Sequence, residues 1–402
     1  MSQIDTERQL AVLGGAPLTE QNVPLGQHNF PDWHAYEAAF RDIFNRQYYT
    51  NHGPLAQRLE ASLAEYCGVR HAMCTTNAEI ALVLAAQALG LRGKVVVSAL
   101  GHAWTAQSLL WADCEPLFCD VDTATGGLDL GMLESILAED RPVAILAMNA
   151  WGGADNAAAL RELADRHGVA LYFDSAQSLG ARTNSRRLGG NGAMEVFSLH
   201  SENLLSGAEG GVICTDDDAL AAHIRNIRSN YGMGNVIVPV VKTSNGRLSE
   251  AQAAVALHNL QRIDEYLARN RSLFDSYSAA LRGVPGVMLW QPGDETAEPT
   301  HQNLLLRVDE AAFGLSAAEL ALALRAENIS ARTVPVWLRS PVYADAARRH
   351  CQDETQAERL AHSLVQLPLG ARVSVRQAEA IGRAIAALQA QAGSVRAALR
   401  RG

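Results

Sequence analysis

The chain has 402 residues, 48% of them hydrophobic and 19% charged, with a net charge of −9. That is globular composition, long enough for one large domain and a smaller one, and its acidity speaks against a nucleic-acid partner, which would need a basic face. No apolar run is long enough to span a bilayer, and the opening MSQIDTERQLAVLGG lacks the basic and apolar regions of a secretory signal, so a cytoplasmic protein with no membrane contact is expected.

From about residue 55 to 235, helical and strand patterns alternate. Helices are predicted over LAQRLEASLAEYCG and EIALVLAAQALG. Strands follow over KVVVSAL, EPLFCDVD, PVAILAMNA, VALYFDS, EVFSLH and GGVICTD, with the helix NAAALRELADRHG between the third and fourth. This alternation predicts an α/β fold around a mostly parallel sheet with helices on both faces. Ligand sites in such folds lie beyond the carboxyl ends of the strands. The stretch LSEAQAAVALHNLQRIDEYLARNRSLFDSYSAALRG keeps helical periodicity and reads as the link between two domains. Beyond it, HQNLLLRV, SAAELALALRAEN, ISARTVPV and VRQAEAIGRAIAALQAQ read as strand, helix, strand and helix of a smaller α+β domain. The tail AGSVRAALRRG reads as a frayed or loosely packed helix end. The expected division is 1–250 for the N-terminal segment and large domain, and 251–402 for the linking helix and small domain.

The six cysteines, Cys67, Cys74, Cys114, Cys119, Cys214 and Cys351, include no Cys-x-x-Cys pair and have no histidines at zinc spacing, so buried reduced thiols and no metal are expected. The 34 basic residues include only two lysines, Lys94 and Lys242. Arginine matches lysine on a solvated surface but does not form imines, so a chemistry that needs lysine has few places to reside.

Several segments together resemble the DegT-type sugar aminotransferases, a branch of the fold-type I pyridoxal phosphate (PLP) enzymes. They are YYTNHGPLAQRLEASLAEYCGVRHAMCTTN, WADCEPLFCDVD, FDSAQSLGA, FSLHSENLLSGAEGGVICTDD, NGRLSEAQAAVALHNLQRIDEYLARNR, ISARTVPVW and LVQLPLG. The resemblance covers nearly the whole chain. It implies a large domain with a mostly parallel seven-stranded sheet, a smaller C-terminal α+β domain, and a homodimer with its sites at the subunit interface. It also implies a small-molecule substrate: a nucleotide-linked keto sugar or a cyclitol ketone, with an amino acid as amine donor.

The resemblance carries over residue by residue. Asp174 matches the aspartate that bonds the pyridine nitrogen of PLP and keeps it protonated, so the ring can absorb electrons. Gln177 matches a residue on the ring's hydroxyl side. His102 falls where the family places an aromatic ring over the cofactor face, with Trp104 two residues on. Ser198 matches a phosphate-contacting serine. Asn245 matches an asparagine that reaches the neighbouring subunit's phosphate, and its Asn-Gly step also predicts a turn. Arg332 matches an arginine able to meet a carboxylate or phosphate of the substrate.

Two departures stand against this. At the helix N-terminus that cradles the phosphate, the family's Gly-Thr is replaced by Ala78 and Glu79. A carboxylate about 4 Å from a phosphate charge is repelled by roughly 4 kcal/mol at an effective dielectric near 20. Either Glu79 points away, or the cofactor is held weakly, or the ligand has no phosphate there; Thr75 and Thr76 are candidate replacement hydroxyls. The second departure is Asn203, which stands at the position of the cofactor-binding lysine, counted back from Glu209 in Glu-Gly-Gly. An amide neither forms an imine nor shuttles a proton. His200 is a candidate base and Lys242 a candidate displaced lysine. These residues predict an aminotransferase-like enzyme that binds PLP or its amino form (PMP) non-covalently. The alternatives are a PLP-independent enzyme that reuses the pocket's carboxylates and histidines, and a non-catalytic partner of an active homologue.

Overall fold

The computed structural model describes residues 9–229, 238, 244–351 and 353–401. Seven strands form the larger sheet: β1 His71–Thr75, β2 Gly93–Ser98, β3 Cys114–Cys119, β4 Ala144–Met148, β5 Ala170–Asp174, β6 Glu195–Ser198 and β7 Gly211–Thr215. Their order in space is β1-β7-β6-β5-β4-β2-β3. β7 runs antiparallel to both its neighbours, and the pairings among β2 to β6 are parallel. Six of the seven are the strands read from the sequence. The seventh, β1, was not among them. Its HAMCT carries no β-branched run, and it becomes a strand by pairing all five residues with β7.

The sheet is covered on both faces, and the alternation along each strand shows how. On β2, Val95 and Val97 pack with the residues of α3 (Ala78–Ala88) and α4 (Ala103–Trp111), while Val96 faces α5 (Leu130–Asp140) and α6 (Ala157–His167). On β4, Leu146 and Met148 take the first face, and Ile145 and Ala147 the second. Central strands buried on both sides are therefore apolar throughout, as a parallel sheet requires.

The long helical stretch before residue 283 is two helices, α8 Glu250–Leu260 and α9 Ile263–Ala280, with α7 at Asp218–Ile227 before them. The break at Gln261 and Arg262 lets α8 lie on α2 (Pro54–Cys67) beside the larger sheet while α9 packs on a helix near the chain's end. A single straight helix could not bury both faces.

The smaller sheet is antiparallel and holds β8 Val287–Trp290, β9 Leu304–Val308, β10 Arg332–Thr333 and β11 Leu364–Leu367, in the order β8-β9-β11-β10. The predicted strand ISARTVPV shortens to two residues, because Val334 and Pro335 turn away to line a cleft. α10 Ala317–Ala326 and α11 Val375–Ala390 pack on this sheet, and Leu10 and Val23 from the N-terminal segment bury themselves in the same cluster. The tail is not frayed. It forms α12, Ala392–Leu399, with Val395 buried and Arg396 paired with Glu310 and Glu319. All six cysteines are buried and free. Among the described residues no helix is long and apolar enough to cross a membrane.

Glu250, the first residue of α8, is fully buried. Its carboxylate accepts the N–H groups of Leu55 (3.1 Å) and Ala56 (2.8 Å) at the start of α2 and pairs with Arg46 of α1 (Trp33–Arg46) at 3.2 Å. Negative charge at a helix N-terminus is favourable, and here it ties three helices together. Replacing Glu250 with alanine should lower the urea unfolding midpoint by the equivalent of about 2–4 kcal/mol, since two buried N–H groups lose their partner. An unchanged midpoint would show that this cap does not hold the three helices.

Candidate active site

A cleft of about 630 Å³ lies where the carboxyl ends of β5 and β6 meet the start of α3, the start of α4 and the β10–β11 edge of the smaller sheet. It is the place that a parallel sheet reserves for ligands. Of the residues singled out from the sequence, Ala78, Glu79, His102, Gln177, Ser198, His200, Asn203 and Arg332 line it.

The loop after β6 is held by amides whose orientation is forced. The Leu204 N–H donates to Gln302 Oε1 at 2.7 Å, so Gln302 must turn its Nε2 outward. That nitrogen donates to Asn203 Oδ1 at 2.8 Å, and Asn203 Nδ2 then donates to the Ser198 carbonyl at 3.2 Å. Gln27 Nε2 donates to the Gln302 carbonyl at 2.7 Å and adds a further anchor. Asn203 is thus engaged at both ends of its amide, at the floor of the cleft. His200 is placed differently from the role expected of it. Its Nδ1 accepts the Glu202 N–H at 3.2 Å, so the neutral ring carries its proton on Nε2, 3.6 Å from Glu209. It presents a donor there, and the acceptor nitrogen that a base needs is already engaged.

Asp174 ends β5 and is almost fully buried. Thr105 Oγ1 donates to its Oδ2 at 2.6 Å and the Ala176 N–H to its Oδ1 at 3.1 Å. Burial raises its pKa, and the bonds from Thr105 and Ala176, with the nearby Trp104 indole, oppose the rise. Asp174 itself does not reach the cleft wall, whereas Trp104 does. His102, at the start of α4, stacks face to face on Trp104, with ring centroids 3.9 Å apart and planes within 8°. Trp151 leans on His102 at 6.1 Å and on Trp290 at 6.2 Å. Burial pushes the His102 pKa down to about 4 against the opposing influence of Gln177, so the imidazole is neutral near pH 7.

At the start of α3 the Asn77 side chain caps the Ile80 N–H at 2.8 Å, and Glu79 lies in the first turn facing the cleft. Thr75 does not replace the missing hydroxyl: it is buried and donates to the Asn77 carbonyl at 2.9 Å. On the opposite wall Arg332 Nε donates to Gln366 Oε1 (2.8 Å), and Gln366 Nε2 donates to Asn303 Oδ1 (2.6 Å). An arginine only donates, so this relay leaves Asn303 Nδ2 as a donor without a partner. The Arg332 guanidinium also stands 3.7 Å from Glu202.

Asn245 lies off the cleft, exposed, with its Oδ1 accepting from Arg247 Nε. Lys94 sits at the far end of β2, bound to Asp140 at 2.6 Å. It is five residues short of the level of Asp174, or roughly 16 Å of strand. Lys242 lies outside the described residues. Among the described residues, therefore, no lysine lines the cleft, and no group of three or more histidine, cysteine or acidic side chains is placed to hold a metal.

Sequence reasoning missed Gln302, Asn303, Gln366 and Trp151 as parts of this site. The signal for three of them was readable: the polar Gln366 interrupts the apolar LVQL, and Gln302 and Asn303 sit just before LLLRV. The residues fit a cofactor ring on one side. His102 Nε2, Trp104 Nε1 and Gln177 Oε1 are buried without a well-formed hydrogen bond, although Gln177 stands close enough to His102, and Trp104 close enough to Asp174, to act on their protonation. The flat faces of His102 and Trp104 suit a heteroaromatic ring.

The low pKa of His102 has a consequence for stability. Between pH 6.5 and about 4 the unfolded chain takes up a proton that the folded chain refuses. Acidification through this window therefore weakens folding, by up to about 3 kcal/mol from this residue alone. Replacing His102 with phenylalanine should flatten the fall in urea midpoint between pH 6.5 and 4, and an identical pH profile in the variant would contradict the buried neutral ring.

Three comparisons bear on what this site belongs to. The family model described as the DegT/DnrJ/EryC1/StrS aminotransferase family matches residues 34–386. A dTDP-3-amino-3,4,6-trideoxy-alpha-D-glucose transaminase of Streptomyces venezuelae is 33% identical over 334 residues, covering 81% of this chain and 85% of the relative. The crystal structure of DesI, determined in the presence of its TDP-sugar product, superposes with a TM-score of 0.88 at 32% identity, over 98% of this chain and 99% of that one. A sugar aminotransferase from Streptococcus pneumoniae, solved in PLP and PMP forms, shares the fold at TM-scores of 0.82 and 0.81 but only 17% identity, over 92–94% of this chain and 99–100% of that one. With the family model spanning most of the chain and the seven-stranded sheet in place, the chain belongs to the DegT/DnrJ/EryC1/StrS aminotransferase family.

Proposed function

We propose that the protein is an enzyme of sugar or natural-product biosynthesis that holds PLP or PMP without a covalent bond, and so does not carry out ordinary transamination. One observation carries this reading: Asn203, at the lysine position of the loop, is fixed by hydrogen bonds at both ends of its amide. The group, when bound, supplies an electron-accepting ring. On this reading Asp174 keeps the ring nitrogen protonated, Gln177 meets the ring's hydroxyl side and Ser198 meets the phosphate. His200 presents its Nε2 proton to the cleft and acts as a donor. The substrate is a sugar nucleotide, supported by the names of the relatives. Arg332 and the spare donor of Asn303 would receive its acceptor groups. The working form is a homodimer, supported by the exposed aromatic side chains Phe30, Trp33, Phe44 and Tyr49 around α1.

Titration of the purified protein with PLP, followed by borohydride reduction and peptide mass analysis, tests the central claim. A visible absorbance band with no labelled lysine is expected. Labelling of Lys242 would mean that a displaced lysine holds the cofactor. Absence of any binding would favour chemistry by the cleft's carboxylates and histidines, or a partner subunit without catalysis. For the substrate, replacing Arg332 with alanine should weaken calorimetric binding of TDP-glucose roughly tenfold to hundredfold, the range for a lost hydrogen bond to a charged group. Equal affinity would remove Arg332 from the substrate wall.

A further inference from the structure

The His102–Trp104 pair shows more than a packed corner. Two flat rings lie parallel at 3.9 Å, the spacing of a ring stacked on its cover. The second ring is a side chain of this protein. Its N–H is buried and lies beside Asp174, acting on that carboxylate as a donor without reaching good hydrogen-bond geometry. Around it, His102 Nε2 and Gln177 Oε1 are also buried and interact only loosely with each other. The Trp104 indole lines the cleft while Asp174 does not. A heteroaromatic N–H near a buried carboxylate, under a stacked imidazole, is the arrangement that a pyridine-type cofactor ring would itself adopt.

We propose that the Trp104 indole takes the cofactor ring's berth between His102 and Asp174. Ring binding then requires the Trp104 side chain to swing out, and Trp104 decides whether the ring is held at all. This rests on the reading of the cleft as a PLP or PMP site. The indole fills the berth by shape and stacking, with its N–H beside Asp174 but without a well-formed hydrogen bond to it. Trp104 has room to move because it borders the open cleft and lies in the first turn of α4, while Thr105, Ala106 and Leu109 of that helix are buried and anchor it.

The test is equilibrium dialysis of PMP against the full-length wild type and the variants Trp104→Ala and Trp104→Phe, with near-ultraviolet circular dichroism of each protein. PMP serves as the probe because it needs no lysine. The alanine variant should bind PMP at least tenfold more tightly than wild type, with the phenylalanine variant between them. PMP should change the aromatic dichroism of the wild type as the indole leaves its stack. Tight binding by the alanine variant with none by wild type would uphold the role of Trp104 and defeat the proposed cofactor enzyme. Equal affinities in all three proteins would overturn the role of Trp104 and leave the cofactor reading intact. Weaker binding in the alanine variant, with the phenylalanine variant folded and like wild type, would make Trp104 part of the ring's binding face and overturn the proposal. No binding in any of the three would overturn both.

Discussion

A single backbone N–H organises the floor of this cleft. The Leu204 N–H can only donate, so Gln302 must present its oxygen to it, Asn203 must present its oxygen to Gln302, and the Asn203 nitrogen must then meet the Ser198 carbonyl. Each choice is forced by the one before it. The relay joins the loop after β6, on the larger sheet, to the segment that enters β9 of the smaller one, and Gln27 joins it from the N-terminal segment. Breaking it would leave several buried polar groups unmet, so the position of Asn203 is built into the packing. A lysine there would have to displace the Gln302 contact.

The other wall follows the same logic with a different outcome. Arg332 forces Gln366, and Gln366 forces Asn303, but this chain ends in a nitrogen with no partner. One relay is closed, and the other ends in a buried donor without a partner. The upper wall differs again, because it is aromatic. His102, Trp104 and Trp151 interact mainly by area and stacking, which hold position less strictly than hydrogen bonds and allow a ring to be exchanged.

Charge in the cleft runs against a plain phosphate site. Glu79 stands at the α3 N-terminus, where the helix dipole favours an anion, and so supplies the negative charge that a bound phosphate otherwise would. Trp104 stacks on His102 at one end of the cleft, and Glu79 carries its charge at the other.

The sequence by itself made legible the α/β class, six of the seven strands of the larger sheet, and the placing of Ala78, Glu79, His102, Gln177, Ser198, His200 and Asn203 around one cleft, whereas Asn245 lies off that cleft. Those follow from apolar runs and helical periodicity, which are local properties. It did not show β1, whose strand character comes from its partner β7, or the break between α8 and α9, which depends on two different packing faces. Nor did it reveal that the tail is pinned by Arg396, or that His200 has its acceptor nitrogen engaged. Only the tertiary structure decided which atoms were already partnered. Hydrogen-bond saturation and ring stacking arise between residues far apart in the chain, as with Gln302 and Asn203, and even His102 and Trp104, two residues apart, needed the folded helix start to show that one covers the other.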